Sequence, residues 1–437
     1  MRIFAAACAL AVLFACGPNP KPPVKVMAVV PSVSGPYETR QVELTTITNL
    51  TTLQGSVAKL IGGARVVFDP TDPMQTDVLT MDDATRYSVL VKEKGGDVRG
   101  NFVDKSGVLW PADFHTWNMV TAYYNFERAA AYYTFIADGK DLPELVQMPV
   151  MYWPQVYLSS PDPLQDNALY LSFVKAFVLV PYSTTTDAYP NNTPNQKVPM
   201  AMNIGVIGHE TAHRVFNHRV LLDAGFHEAL ISWNLQPFNL LKSLDEGLAD
   251  FHGYGVTCGE VSGCKPAFLE ASVNDAATVA ARNLSLPGNC MDANVRSAFR
   301  TFTSDQWVRA PEMYKVGTLF ATALYLAGSK TGKMSVVQKG LLAAYDDPSP
   351  ANPGLNQLLN GNLNTPDAFT PEAVADVIVG HMPTGSEVQK ELCNQFSTRL
   401  QLVCGAFPCI DSSNQNLMPH CPVTSARSSE CPALPQP

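Results

Sequence analysis

The chain has no run of basic residues, and its 30 Lys and Arg are outnumbered by 39 Asp and Glu. Without a cationic patch to meet phosphates, nucleic acid is not an expected partner. Beyond the first residues, no stretch has the length and uniform apolarity of a membrane-spanning helix. No CxxC pair occurs, which disfavours a cysteine-built metal site. No GxSxG turn occurs, so a nucleophile-elbow hydrolase is unsupported. Ser172-Phe173-Val174-Lys175 and Lys330-Thr331-Gly332 match two fragments of a serine acylase. The SDN fragment that belongs between them is missing, and Ser304-Asp305-Gln306 lies too near the second fragment to serve. There is no internal repeat. Net charge is −9 with 46% hydrophobic residues, the balance of a folded body of one or two domains. Histidine is scarce, eight in 437 residues, so a motif that uses two of them carries weight.

That motif is His209-Glu210-Thr211-Ala212-His213. Residues four apart share one helix face, so both imidazoles can reach one metal ion with Glu210 beside it. HExxH on a helix is the zinc-protease pattern: two ligands plus a carboxylate base for water. Ile204, Ile207, Val215 and Phe216 recur at spacings that suit a buried amphipathic helix. A catalytic zinc site needs a third protein ligand and one open position. The longer pattern HExxHxxGxxH fails, because Phe216 and Arg219 hold its last two defined positions. His218 lies five residues past His213 and points to another side of the helix. His227 and His252 remain possible. Glu246, in Ser243-Leu244-Asp245-Glu246-Gly247-Leu248-Ala249-Asp250, is the better candidate. Asp250 is four residues further and can accept the second N–H of a ligating histidine. The competing reading makes Ser243 and Glu246 a capping box at a helix start.

With ExxxD downstream of HExxH, the chain resembles the gluzincins, and within them the thermolysin-like and fungalysin-like zinc peptidases. Asp245 to Phe251 looks like their (N/D)ExxxD segment. Val120 to Tyr133 resembles their long helix before the active site, and Asn167-Ala168-Leu169-Tyr170 their NAxY substrate strand. The likeness covers about residues 110–330. It implies one Zn²⁺ on His209, His213 and Glu246, with Glu210 as general base and Asp250 holding His209. It also implies peptide binding along Asn167 and Ala168. Tyr314-Lys315-Val316-Gly317 is similar to the aminopeptidase Y-x-K-G segment with its lysine displaced by one. A phenol there can hydrogen-bond a developing oxyanion. His252 and His381 are the alternative donors, and a core tyrosine is the competing reading. The GxMEN segment that binds a free N-terminus in aminopeptidases is absent, which favours endopeptidase action. The acidic calcium loop of thermolysin relatives is not evident after Tyr170, so calcium dependence is not expected.

Arg2 and the short apolar run Ile3 to Phe14 read as a secretion signal. Leu13-Phe14-Ala15-Cys16 resembles a bacterial lipobox, which implies a lipid anchor on Cys16. Gly17 then suggests the outer membrane, with plain secretion as the alternative. Ten cysteines are present; without Cys8 and Cys16 an even eight remain, enough for up to four disulfides, with Cys258 and Cys264 the expected local pair.

The expected organisation follows: signal 1–15, lipidated cysteine and Pro-rich linker 16–36, and a β-rich lobe 37–235 ending in the HExxH helix. A helical lobe 236–385 carries ExxxD, and 386–437 is a Cys-rich tail. The fold class is α+β, a two-lobed zincin-type metallopeptidase. The expected function is metal-assisted hydrolysis of protein or peptide substrates. Its rival is a catalytically silent lipoprotein of the same fold acting as adhesin or scaffold; an intact Glu210 argues against it, since a pure metal-binding fold has no need of that carboxylate. Oligomeric state is not legible.

Overall fold

The computed structural model describes residues 21–32, 37–69, 71–75, 78, 81–181, 198–222, 235–259, 264, 266–273, 275–361, 369–402, 418–421 and 430–431. The signal, Cys16 and His227 lie outside them. Twelve strands precede most of the helices among these residues: β1 Val24–Pro31, β2 Tyr37–Leu44, β3 Ile47–Asn49, β4 Gln54–Gly55, β5 Ala58–Phe68, β6 Val91–Asp97, β7 Phe102–Lys105, β8 Val108–Pro111, β9 Met148–Tyr152, β10 Gln155–Leu158, β11 Asn167–Leu171 and β12 Ala176–Val180. The helices are α1 Asp83–Leu90, α2 Phe114–Ile136, α3 Ile204–Arg219, α4 Leu235–Cys258, α5 Ala276–Ala281, α6 Ala293–Thr301, α7 Ser304–Trp307, α8 Pro311–Thr331, α9 Met334–Asp346, α10 Leu355–Gly361, α11 Pro371–Gly380 and α12 Glu387–Arg399. The chain is therefore a mixed α+β fold, strand-rich first and helical after.

The extended spacer expected over 16–36 gives way to β1 at Val24. Val24, Val26, Ala28 and Val30 all face inward there, and β1 pairs antiparallel with β2 and parallel with β8. Burying that apolar face outweighs the extended, solvated state that the preceding prolines favour. This sheet has the order β2-β1-β8-β7. The larger sheet runs β11-β12-β9-β5-β4-β3, with β10 and β6 also pairing β5. β11 is its edge strand, antiparallel to β12, whose five residues Ala176–Val180 are all buried.

α2 starts where Asp113 accepts the Thr116 amide (2.8 Å), and packs against β1, β5, β8 and α3. One apolar core runs from Val24 on β1 through Phe126 and Phe216 to Phe396 on α12, joining sheets and helices. A smaller one, including Val66, Met151 and Val178, fills another face of the large sheet. The Cys-rich segment opens with α12, which buries Val388, Leu392 and Phe396 and packs on α8. Disulfides join Cys258 to Cys264, Cys290 to Cys431 and Cys393 to Cys421. Cys404 and Cys409 lie outside the described residues. Among the described residues, no helix is long and apolar enough to cross a membrane.

Candidate metal centre

The Asn203 side chain caps α3, accepting the Gly205 (2.9 Å) and Val206 (3.4 Å) amides. Its Nδ2 donates to Phe268 O and Ser272 Oγ, both at 2.9 Å. Tyr37 at the start of β2 donates its hydroxyl to Asn203 Oδ1 (3.0 Å) and accepts the Ile204 amide (3.1 Å). The helix carrying HExxH is thus pinned at its N-terminus from both sides. α4 lies against it without space for further side chains: a Cβ on Gly208 would meet Val256 at 2.8 Å, and one on Gly253 would meet Gly205 O at 2.8 Å.

That contact brings Glu246 opposite the two histidines. Glu246 lies deep inside α4, and Ser243 accepts a hydrogen bond from Trp307 Nε1 (3.1 Å), so the capping-box reading is overturned. The two Nε2 atoms stand 3.0 Å apart, and Glu246 Oε2 is 3.5 Å from His209 Nε2 and 3.7 Å from His213 Nε2. Bond lengths of about 2.0–2.2 Å in a tetrahedron give ligand–ligand edges of about 3.3–3.6 Å. The three donors bracket that range and could hold a metal ion. The outer ring nitrogens are oriented as well. His209 Nδ1 donates to Asp250 Oδ1 (3.0 Å), and His213 Nδ1 to Asp245 Oδ1 (2.8 Å), leaving both Nε2 lone pairs turned toward Glu246.

Charge balance supports the same reading. Glu210, Asp245, Glu246 and Asp250 place four carboxylates in one buried cluster. Two fixed cations answer them. Arg282 makes a forked pair with Asp250, one arm being Nε to Oδ2 at 2.9 Å, and Lys242 lies 3.1 Å from Asp245 and 3.6 Å from Glu246. A divalent cation, or protons on the two histidines, balances the remainder. Protons compete for the same place. Burial disfavours the imidazolium of His209, but Asp250 and Glu246 outweigh it and hold the pKa up to about 9. His213 is also raised, Asp245 and Glu246 prevailing over burial. Burial would lift Glu246, yet His213, His209 and Lys242 keep it well below the usual carboxylate range. Glu210 goes the other way: burial dominates and raises it, only partly offset by the histidines.

A cleft of about 360 Å³ opens on this cluster. β11 forms one wall, and Asn167 and Ala168 line it. The Tyr170 amide donates to Glu210 Oε2 (2.6 Å), and Glu210 Oε1 lies 3.9 Å from His209 Nε2. Tyr314 also lines the cleft, with the Arg282 guanidinium 4.7 Å from its ring centre. The charge of Glu246 and then burial raise the phenol's pKa to about 12, so it remains a proton donor.

Other candidates lie elsewhere. His252 is fully buried between the hydroxyls of Tyr132 (2.9 Å) and Tyr345 (3.0 Å), and burial drives its pKa down to about 3; it is neither ligand nor oxyanion donor. His381 bonds Val377 O (2.7 Å) at the end of α11, away from the cleft lining. Lys175 pairs with Asp83 (2.6 Å), and Lys330 with Glu391 and Glu430 at 3.4 Å, so the two acylase fragments form no shared site. Three participants were not singled out from sequence: Asp245, Lys242 and Arg282. Asp245 and Lys242 were findable, one and four positions before Glu246. Arg282 follows no fixed spacing and emerges only when the residue after α5 reaches Asp250 on α4.

No protein-family model matches the chain, and no curated protein matches it in sequence.

Proposed function

We propose that this chain is a zinc-dependent peptidase of zincin type, acting on internal peptide bonds of protein or peptide substrates. The observation that carries the reading is a mixed nitrogen–oxygen donor triad, His209, His213 and Glu246, with one non-ligating carboxylate, Glu210, beside it in a cleft. Zinc suits two imidazoles and a carboxylate, and once held it polarises a carbonyl and lowers a water's pKa toward about 7.

The chain's own residues supply the rest. Glu210 takes the proton of the attacking water and delivers it to the leaving amine nitrogen. Burial makes it a better base than an exposed glutamate, and the Tyr170 amide fixes its Oε2. Tyr314 donates to the oxygen that gains charge as the carbonyl becomes tetrahedral. β11, as a sheet edge, offers backbone groups to an extended substrate, which adds to it as a further strand. The apolar part of the cleft, with Val206, Phe268 and Val273, receives an apolar side chain next to the cleaved bond. Arg282 and Asp250 hold His209 in place. The three disulfides suit an oxidising compartment, in keeping with export and a lipid anchor on Cys16 in the bacterial envelope.

The test is metal analysis of the purified protein followed by hydrolysis of denatured casein. One zinc per chain, cleavage that stops with chelator and returns with zinc, and a Glu210→Gln variant that keeps zinc but loses hydrolysis are the expected results. Full hydrolysis by that variant removes the mechanism. A chain that holds zinc and cleaves nothing is a scaffold.

A further inference from the structure

Lys242 is not used by the chemistry above. With Asp245 and Glu246 it occupies positions i, i+3 and i+4 of α4, on one face of the helix. Its ammonium serves both acids: Nζ donates to Asp245 Oδ2 (3.1 Å) and stands at ion-pair distance, 3.6 Å, from Glu246 Oε1. The two acids divide their oxygens in the same way. Asp245 gives Oδ1 to His213 Nδ1 (2.8 Å) and Oδ2 to Lys242. Glu246 turns Oε2 to the Nε2 atoms of His209 (3.5 Å) and His213 (3.7 Å), and leaves Oε1 to Lys242. Arg282 is farther from Oε2 than either imidazole, at 3.9 Å, and its fork is on Asp250. The Lys242 side chain is 21% exposed, against 4% for Asp245 and 11% for Glu246, so water screens these pairs only in part.

We propose, resting on the metal-binding part of the peptidase reading, that Lys242 is a positioning residue: it keeps Glu246 a one-oxygen ligand and so makes the centre select zinc against cations that take more oxygens. A carboxylate that gives one oxygen, beside two imidazoles, suits the four-coordinate arrangement of zinc with one position open. A carboxylate free to give both oxygens raises the number of donors. That suits a cation such as Mn²⁺, which favours oxygen donors in a six-coordinate shell. The ammonium behind Oε1 favours the first arrangement. A charge that acted only through its field has a different signature. Its removal strengthens the binding of every divalent cation alike and leaves their ratio where it was.

The experiment compares wild type with Lys242→Met, which keeps the length without charge or donors, and with Lys242→Arg, which keeps both. Zn²⁺ and Mn²⁺ affinities of the metal-stripped chains are measured by competition with an indicator chelator. Co²⁺-loaded chains are read by visible absorption, whose intensity falls as the ion passes from four donors to five or six. Wild type and Lys242→Arg are expected to share one zinc-to-manganese affinity ratio and a strong Co²⁺ spectrum. Lys242→Met is expected to lower that ratio about 10-fold or more and to weaken the spectrum. An unchanged ratio overturns the proposal, including the case in which both ions bind more tightly by the same factor. A lowered ratio with an unchanged Co²⁺ spectrum overturns it too, because the number of donors has then not changed. So does a Lys242→Arg ratio as low as that of Lys242→Met. Wild type that binds neither zinc nor cobalt ends this proposal together with the peptidase reading. Wild type that binds zinc, shows the dependence on Lys242 and leaves denatured casein uncut keeps the positioning role and ends the peptidase reading alone. Melting curves with and without Zn²⁺ show that the variants fold; where Lys242→Met does not melt cooperatively, Lys242→Gln, uncharged and shorter, is judged by the same ratio and spectrum.

Discussion

Gly247 on α4 and Gly317 on α8 meet backbone to backbone: a Cβ on Gly247 would lie 2.1 Å from Gly317 O, and one on Gly317 2.4 Å from Ser243 O. The two helices approach as closely as the main chain allows. Gly247 follows Glu246 directly, and Tyr314 is one turn before Gly317, so this contact sets how near the phenol comes to the donor triad. Gly317→Ala is expected to wedge the helices apart. An unfolding free energy lowered by about 1–3 kcal/mol in a denaturant titration is the stability readout, with casein hydrolysis falling further than the lost folded fraction explains. Unchanged stability and rate would mean that the helices have slack.

Asp245 orients His213 as Asp250 orients His209, and both pairs lie in the same buried cluster. Removing a charge behind a ligand weakens it as a donor. Asp245→Asn is expected to lower zinc affinity about 10–100-fold, read by competition with a chromogenic chelator. Asp376→Asn, which touches the surface-exposed His420, is the control and leaves zinc affinity alone. Equal affinity in the wild type and Asp245→Asn would rule out an orienting role.

Much of this centre was legible because helix periodicity is rigid. HExxH and ExxxD fix which residues share a face, and nothing in folding can move His213 off the side of His209. Most of the helix Phe114–Ile136 was legible too, through the resemblance at Val120 to Tyr133. What was hidden depends on distant segments meeting. β1 read as spacer because prolines precede it, and only its pairing with β2 and β8 makes it a strand. Ser243 with Glu246 read equally well as a helix start, because the residues before them carry no stop signal that a periodic pattern reveals. Arg282 joins the cluster through tertiary packing alone.

Tyr314 carries a prediction that separates catalysis from architecture. Its hydroxyl is the only atom that Tyr314→Phe removes, and the ring under Arg282 remains. If the hydroxyl donates to the developing oxyanion, kcat for a peptide falls about 10²–10³-fold while KM and zinc content hold. A raised KM with unchanged kcat would instead place the phenol in ground-state binding.

Glu372 gives a pH dependence remote from the metal. It lies in the first turn of α11, is 5% exposed, and its Oε1 has no partner. Burial raises its pKa to about 7, with its own amide and Thr370 offsetting only part. The folded state therefore keeps a proton that the unfolded chain releases near the ordinary glutamate value of about 4.3. Between those two values the native state binds more protons, so this contribution falls as pH rises and is fully lost above about 7. The span corresponds to at most about 4 kcal/mol, and to less after relaxation around the charge. Glu372→Gln removes the titration. Urea midpoints measured from pH 5 to 8 should show the wild type losing stability relative to the variant across that window. Parallel profiles would show that Glu372 is already ionised in the folded protein at pH 5.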